Sequence, residues 1–312
     1  MSSTTENNNT KYTTENDQIT SKSDEGNSNA NKKETKFIVD ADSIRRIQPL
    51  EYFRHFTDQK IRPNGRVFNR FRKTTLHLGS VTTADGSAVV RIGNTSVVCG
   101  IKAEVAEPNV NTPREGYLVP NVELSPMCSP NFKPGPPSEL AQVLSETVNK
   151  LLKSSSVLSL ESLCIEEGKA VWVLYCDVVC INYDGNILDA SVYAVVSALS
   201  NVRLPKITYA DGIVKATPDK TIELSLSRIP FSATFAIFNG EILADPDETE
   251  EVILEERITI ICDEEGQLCS VLKSGGSSST RETFSTCLEL ARNRYSVLST
   301  IFKEASTSAN TN

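Results

Sequence analysis

Histidine is nearly absent: the 312-residue chain has only His55 and His77. None of its eight cysteines forms a Cys-x-x-Cys pair. Structural zinc needs clustered Cys and His at short spacing, so no metal site and no cofactor are expected. Cations are also in deficit. Thirty-two Lys and Arg face 40 Asp and Glu, giving a net charge of −8 and a pI near 5.1. That excludes the basic surface of a stand-alone nucleic-acid binder but leaves room for a small local basic patch. Long apolar runs are missing too. No stretch approaches a membrane span and no leader-like apolar segment opens the chain, which predicts no membrane partner. The cysteines are therefore expected as thiols in a reducing compartment, most of them in strand-like apolar runs: Cys99, Cys176, Cys180, Cys262 and Cys269.

The two ends are poor in apolar residues. Met1 to about Lys36 has one aromatic residue, Tyr12, among Ser, Thr, Asn, Glu, Asp and Lys. Such a segment cannot bury enough surface to offset its ordering entropy, so residues 1–37 are expected to be disordered, and 305–312 likewise. Between them the length suggests two domain-sized units, 38–205 and 206–304.

Val39 to Phe56 predicts a short amphipathic helix broken at Pro49, followed by a Pro63-Asn64-Gly65 turn. Strands are predicted over Thr74–Thr83 and Ala88–Ile92, joined by a hairpin at Asp85-Gly86. Further strands are predicted over Ser96–Val105 and Val119–Leu124. Leu140, Val143, Leu144, Val148, Leu151 and Leu152 recur at helical spacing behind Ser138, a suitable N-cap. Ala170–Asn182 reads as a strand buried on both faces, and Asp189 opens a second helix through about Ser200. The second half repeats the outline. Strands are predicted over Ile222–Leu226, Ser232–Phe238, Ile258–Cys262 and Cys269–Lys273, with a long closing helix marked by Phe284, Leu288, Ala291, Tyr295, Leu298 and Phe302. Two sets of strands, each followed by helices, predict a two-lobed α+β fold.

The segments PNGRVFNRFR, LGSVTTADGSAVVRIGNTSVVCGIKAEV, VELSPMCSPNFKPGPPSELAQ, GKAVWVLYCDVVCINYDGNILDAS and PFSATFAIFNGEILADPDETEEVILEERITIICDEEGQLCSVLKSGG resemble the RNase PH-like subunits of the RNA exosome ring. The resemblance runs from about Pro49 to Arg294 and is strongest to the non-catalytic branch of the eukaryotic subunits. It implies the RNase PH fold, ribosomal protein S5 domain 2-like, each lobe a mixed sheet with packed helices. It also implies a hetero-hexameric ring with other RNase PH-like subunits, cap subunits bearing RNA-binding domains, and RNA as a partner. The implied role is support of 3′-5′ RNA processing and decay, in rRNA maturation and mRNA turnover. The implied location is the nucleus, nucleolus and cytoplasm.

Active members of that family use inorganic phosphate to attack the terminal phosphodiester, which is catalysis by positioning and charge stabilisation. They are expected to carry Gly-Thr-Arg before the helix after the central strand, and paired carboxylates in the second lobe. Here Gly185 is followed by Asn186, Ile187, Leu188 and Asp189. The stretch matched to the second element runs from Leu224 to Phe231 and carries no carboxylate pair. No catalytic residue is therefore expected, and an active phosphorolytic exoribonuclease is the alternative.

Asp184 reads as a turn residue and Asp189 as an N-cap, in preference to a paired-carboxylate site. Asp177, in the central strand, is expected to need a partner. The acidic run Asp245–Glu251 reads as a solvated loop, and Gly275-Gly276 as a flexible connection without the lysine of a P-loop. Arg114, Lys133, Arg62 and Arg66 are the RNA-contact candidates, since a few cations can guide a strand without reading its sequence. Arg62 and Arg66 have a second reading, as residues that hold the turn or a neighbouring subunit.

Overall fold

The computed structural model describes residues 45–310 apart from 211–212, 255 and 277–278; the expectation for residues 1–37 lies outside the described residues. A helical turn at 45–47 precedes α1 (Pro49–Thr57), with Pro49 in its first turn, where a missing N–H costs nothing. Five antiparallel or mixed strands then build one sheet around a sixth. They are β1 (Thr74–Leu78), β2 (Gly86–Ile92), β3 (Thr95–Ala106), β4 (Tyr117–Leu124), β5 (Cys164–Glu166) and β6 (Ala170–Asn182), in the order β1-β2-β3-β6-β4 with β5 also on β6. β4 runs parallel to β6, and α2 (Glu139–Ser154) makes the crossover between them. Ser138 caps α2 through its side chain, accepting from the Ala141 amide at 3.3 Å.

The β1–β2 hairpin forms, but its connection is longer than a two-residue turn. Gly86 lies inside β2, paired with Ile101. The reason is a crossing helix: a Cβ at Gly86 would come within 2.7 Å of the Ala198 carbonyl oxygen and closer still to Val202. β6 is buried on both faces only over Ala170–Val173 and Leu174; from Tyr175 onward exposed and buried residues alternate. Asp177 is consequently exposed, and the Asn121 amide donates to it at 3.3 Å.

The next helix, α3 (Ile187–Ser200), is buried almost all round. It packs on β2 and β3 on one side and β9 on the other, which its small residues Ala190, Ser191, Ala194 and Ala198 allow. β7 (Arg203–Ala210) and β8 (Ile213–Glu223) form a separate two-stranded hairpin. β9 (Phe231–Phe238), β10 (Glu241–Ala244), β11 (Glu256–Cys262) and β12 (Leu268–Ser274) form the second sheet in the order β10-β9-β11-β12. A short helix, α4 (Glu248–Ile253), joins β10 to β11.

The closing helix α5 runs from Arg281 to Asn310 and packs on β1, β9 and β11. The expected disordered end at 305–312 is therefore corrected: residues through Asn310 continue the helix, because Phe302 is a buried anchor and Ala305 still packs on the core. One hydrophobic cluster contains residues of both sheets, among them Val90, Val178, Val195, Leu199, Phe235 and Ile260. Each large aliphatic side chain so buried stabilises by roughly 1.5–3 kcal/mol, so the two lobes share one core. No helix among the described residues is long and apolar enough to cross a membrane.

Candidate functional site

The turn between β6 and α3 has two successive left-handed residues, Gly185 (φ 74°) and Asn186 (φ 53°). Asn186, not Asp189, occupies the N-cap position. The glycine is required for two reasons. Its φ suits a residue without Cβ, and an added Cβ would lie 2.4 Å from the Asp247 carbonyl carbon. The second lobe thus presses directly on this turn.

Asp189 sits one turn into α3 and is fully buried. Its carboxylate accepts from the Thr234 amide (2.9 Å), the Thr234 hydroxyl (2.8 Å) and Asn186 Nδ2 (2.9 Å). Burial raises its pKa, and these hydrogen bonds act against that rise. The expected N-cap is thereby corrected. Asp189 ties α3 to β9, and no solvent-facing charge stands there.

The acidic run is not a solvated loop. Asp245 is wholly buried and Glu250 is 1% exposed. Arg72 donates to Asp245 through its backbone amide (2.9 Å), Nε (2.9 Å) and a terminal nitrogen (2.8 Å). It also donates to the Asp184 carbonyl at 2.5 Å and forms an ion pair with the Asp184 carboxylate at 3.3 Å. Asn186 Nδ2 adds a further bond to Asp245 at 2.7 Å. Burial alone would raise the Asp245 pKa, but the hydrogen bonds and charge of Arg72 hold it at about 2.

Arg62 is wholly buried. It grips Glu250 with two donors at 2.8 and 2.5 Å and donates to the Ala244 carbonyl at 2.7 Å. Arg66, with 14% of its side chain exposed, lies within 3.4–3.7 Å of Asp245, Asp247 and Glu250. Neither presents a charge to solvent that RNA could meet, which corrects both as RNA-contact candidates. They hold the turn after α1 against the second lobe, one of the two readings open from sequence. Asp247 and Glu250 also close a reciprocal cap on α4: the Asp247 side chain accepts from the Glu250 amide (3.0 Å), and Glu250 accepts from the Asp247 amide (2.9 Å).

Glu251, with 11% of its side chain exposed, reaches the start of α3. It accepts from the Asn186 amide at 2.9 Å and from the Tyr183 hydroxyl at 2.7 Å, with Arg257 at 3.4 Å. Burial raises its pKa, against the effect of those donors. A helix N-terminus and successive left-handed residues favour an anion. Here the anion is a side chain of the same protein.

The other two candidates are exposed. Arg114 pairs with Glu167 at 2.7 Å, with 67% and 55% of the two side chains open. Its loop is held by a bond from the Gly168 amide to the Pro113 carbonyl. Lys133 is exposed on the proline-rich loop, which is pinned beside the α3 turn at two points. Phe132 stacks edge-on against Tyr183 at 5.4 Å, and Asn131 donates to Glu248 at 2.8 Å. The fold therefore does not gather the four candidates at one place.

Sequence reasoning missed Arg72, Asn186, Glu250 and Glu251. The one legible signal was Asp247-x-x-Glu250, the spacing of a reciprocal helix cap. Among the described residues, no group of three or more His, Cys, Asp or Glu is arranged to hold a metal ion.

A 3′ exoribonuclease family model matches the chain in two parts, domain 1 at residues 70–205 and domain 2 at residues 228–294. The chain is 40% identical to exosome complex component rrp43 of Schizosaccharomyces pombe, over 81% of this chain and 94% of that one. It is 39% identical to exosome complex component Rrp42 of Methanothermobacter thermautotrophicus, over 75% and 86% of the two chains. Among solved structures it superposes on a chain of the Archaeoglobus fulgidus exosome with RNA bound to the active site. That match has a TM-score of 0.71 and 32% identity, covering 81% of this chain and 96% of the other.

Proposed function

The chain belongs to the 3′ exoribonuclease family of RNase PH type, and from that premise we propose that it is a catalytically silent, RNA-guiding subunit of an exosome ring. The observation that carries this reading is Glu251. Its carboxylate takes the Asn186 amide at the start of α3, where the family resemblance would seat phosphate. The residues following Gly185 are Asn186, Ile187 and Leu188, with no arginine among them, and Arg72, which reaches this turn from the first lobe, is engaged by Asp184 and Asp245. Carboxylates do reach this turn from the second lobe, from Asp245–Glu251 and not from Leu224–Phe231. The two deepest, Asp245 and Glu250, are engaged by Arg72 and Arg62 and are not free to bind a metal or move a proton.

In this role the chain contributes a wall of the ring beside other RNase PH-like subunits and beneath cap subunits, in RNA processing and decay. Arg114 and Lys133 meet the backbone of passing RNA, in the nucleus, nucleolus and cytoplasm. Within the non-catalytic branch, the sequence resembles exosome component eight.

The test is incubation of the purified full chain with 3′-labelled RNA, with and without phosphate and magnesium. No nucleoside diphosphate should be released. Phosphate-dependent release that is abolished by Asp184→Asn would overturn the reading.

A further inference from the structure

Residues 125–137, between β4 and α2, form turns and bends but no helix or strand. What holds this loop must therefore come from outside it. One residue of the first lobe holds it twice. The Tyr183 amide donates to the Cys128 carbonyl at 3.0 Å, close to where the chain leaves β4. The Tyr183 ring meets Phe132 edge-on, with centroids 5.4 Å apart and planes at 90°. Such a pair attracts beyond the area that it buries. A third tie comes from the second lobe, where Glu248 accepts from Asn131 Nδ2 at 2.8 Å.

Lys133 is the residue after Phe132 and is exposed. Pro134 follows it and disfavours a helical backbone at the lysine. Placed between an anchored aromatic residue and a proline, Lys133 goes where Phe132 goes.

Tyr183 is in turn set by Glu251. Its hydroxyl donates to Glu251 Oε2 at 2.7 Å, while Oε1 of the same carboxylate accepts from the Asn186 amide at 2.9 Å. Burial first, and then the Glu251 charge, push the Tyr183 hydroxyl pKa upward, so it keeps its proton and remains a donor. One carboxylate thus joins the start of α3 to the ring that carries the loop. The path Asn186, Glu251, Tyr183, Phe132 is a direct contact at every step, and it ends one residue from the exposed lysine.

We propose that Tyr183 is a positioning residue for RNA: its ring, oriented by Glu251, sets where the loop presents Lys133. This rests on the reading of Lys133 as an RNA contact, and it gives Glu251 a second role besides occupying the Asn186 amide. Contacts to an RNA backbone need a charge at a fixed place and no base readout. A cation on a wandering loop must be ordered when RNA binds, at a cost in conformational entropy. The Phe132–Tyr183 contact removes that cost before RNA arrives.

The experiment crosslinks RNA to the reconstituted ring holding the full chain and maps the crosslinks by peptide, to residues 125–137 and to the loop bearing Arg114. Tyr183→Leu should cut the yield in 125–137 about fivefold, within the range one edge-on aromatic pair supports, and leave the Arg114 loop at its wild-type yield. Phe132→Leu should match it, and the double variant should lose no more than either alone, because both remove one contact. Tyr183→Phe keeps the ring without the bond to Glu251 and should fall between Tyr183→Leu and wild type. The Cys128 and Phe132 amides, bonded within the loop to the Ser125 and Ser129 carbonyls, should exchange with solvent faster in Tyr183→Leu by a similar factor. Equal losses at both loops, or wild-type yield in Tyr183→Leu, would overturn the positioning role, and wild-type yield in Tyr183→Phe would remove Glu251 from the path. A wild-type chain that gives no crosslink in 125–137 would overturn the RNA-guiding reading of Lys133 itself. Unchanged amide exchange in Tyr183→Leu would overturn the hold of Tyr183 on the loop, so the two failures are told apart.

Discussion

Arg72 and Asp245 form a two-pronged, buried ion pair, Nε to Oδ2 at 2.9 Å and a terminal nitrogen to Oδ1 at 2.8 Å, across 173 residues of sequence. The arginine enters the sheet of the first lobe, and the aspartate leaves β10 of the second. The pair therefore fastens the lobes at the turn that begins α3. Breaking such a pair from one side leaves a buried charge without a partner, which costs about 3–5 kcal/mol. Asp245→Ala should lower the unfolding free energy by that amount in urea denaturation. Arg72→Ala combined with Asp245→Ala should cost less than the sum of the two single changes. Additive losses would show that the pair is not a unit.

Acid should loosen the same clamp. Asp245 titrates at about 2 in the fold against 3.8 as the ordinary value. A carboxyl with a depressed folded pKa stabilises while ionised. Its contribution, about 2 kcal/mol, is complete above about pH 4 and is lost as pH falls from 4 toward 2. Asp189 acts in the opposite sense: burial raises its pKa, so the fold holds its proton more readily than the unfolded chain does. Asp245→Asn should therefore flatten the acid limb of stability between pH 4 and 2. An unchanged limb in urea titrations at those pH values would assign the acid sensitivity elsewhere.

Gly185→Ala tests how closely the second lobe presses on the α3 turn. The φ of 74° alone costs an alanine about 1–2 kcal/mol. The 2.4 Å approach to the Asp247 backbone must add to this, because backbone cannot swing aside as a side chain can. The melting temperature should fall by more than it does for Gly65→Ala, where φ is a matching 76° and nothing lies within 4 Å of the added Cβ. Equal falls would mean that the lobes part at this turn at little cost.

Charge reversal at the exposed candidates tests RNA guidance. Arg114→Glu and Lys133→Glu should leave ring assembly intact, since both side chains lie at the surface. RNA crosslinking to the reconstituted ring should weaken. The slope of log affinity against log salt should become shallower by about 0.7 for each phosphate that is no longer neutralised. Arg62→Glu should behave differently, impairing folding and assembly before any RNA effect can be read, because Arg62 has no exposed surface. Wild-type crosslinking by both surface variants at low salt would remove them from the RNA path.

Local signals in the sequence determined most elements. The Ser138 cap and the helical spacing behind it predict α2, the Asp85-Gly86 turn signal predicts β2, and a valine-rich run predicts β3, because caps, turns and composition act over a few residues. The turn at Asp184-Gly185 and the missing arginine after it are equally local. The partners of the charged residues were decided by tertiary structure alone. Asp245–Glu251 reads as a solvated loop since six of its seven residues are acidic or polar and carry no apolar period. What buries it is three arginines more than 170 positions away, brought close when the two sheets close on α3. A charge is cheap in water and costly in a core without a partner, so whether it marks surface or interior depends on what the fold sets beside it.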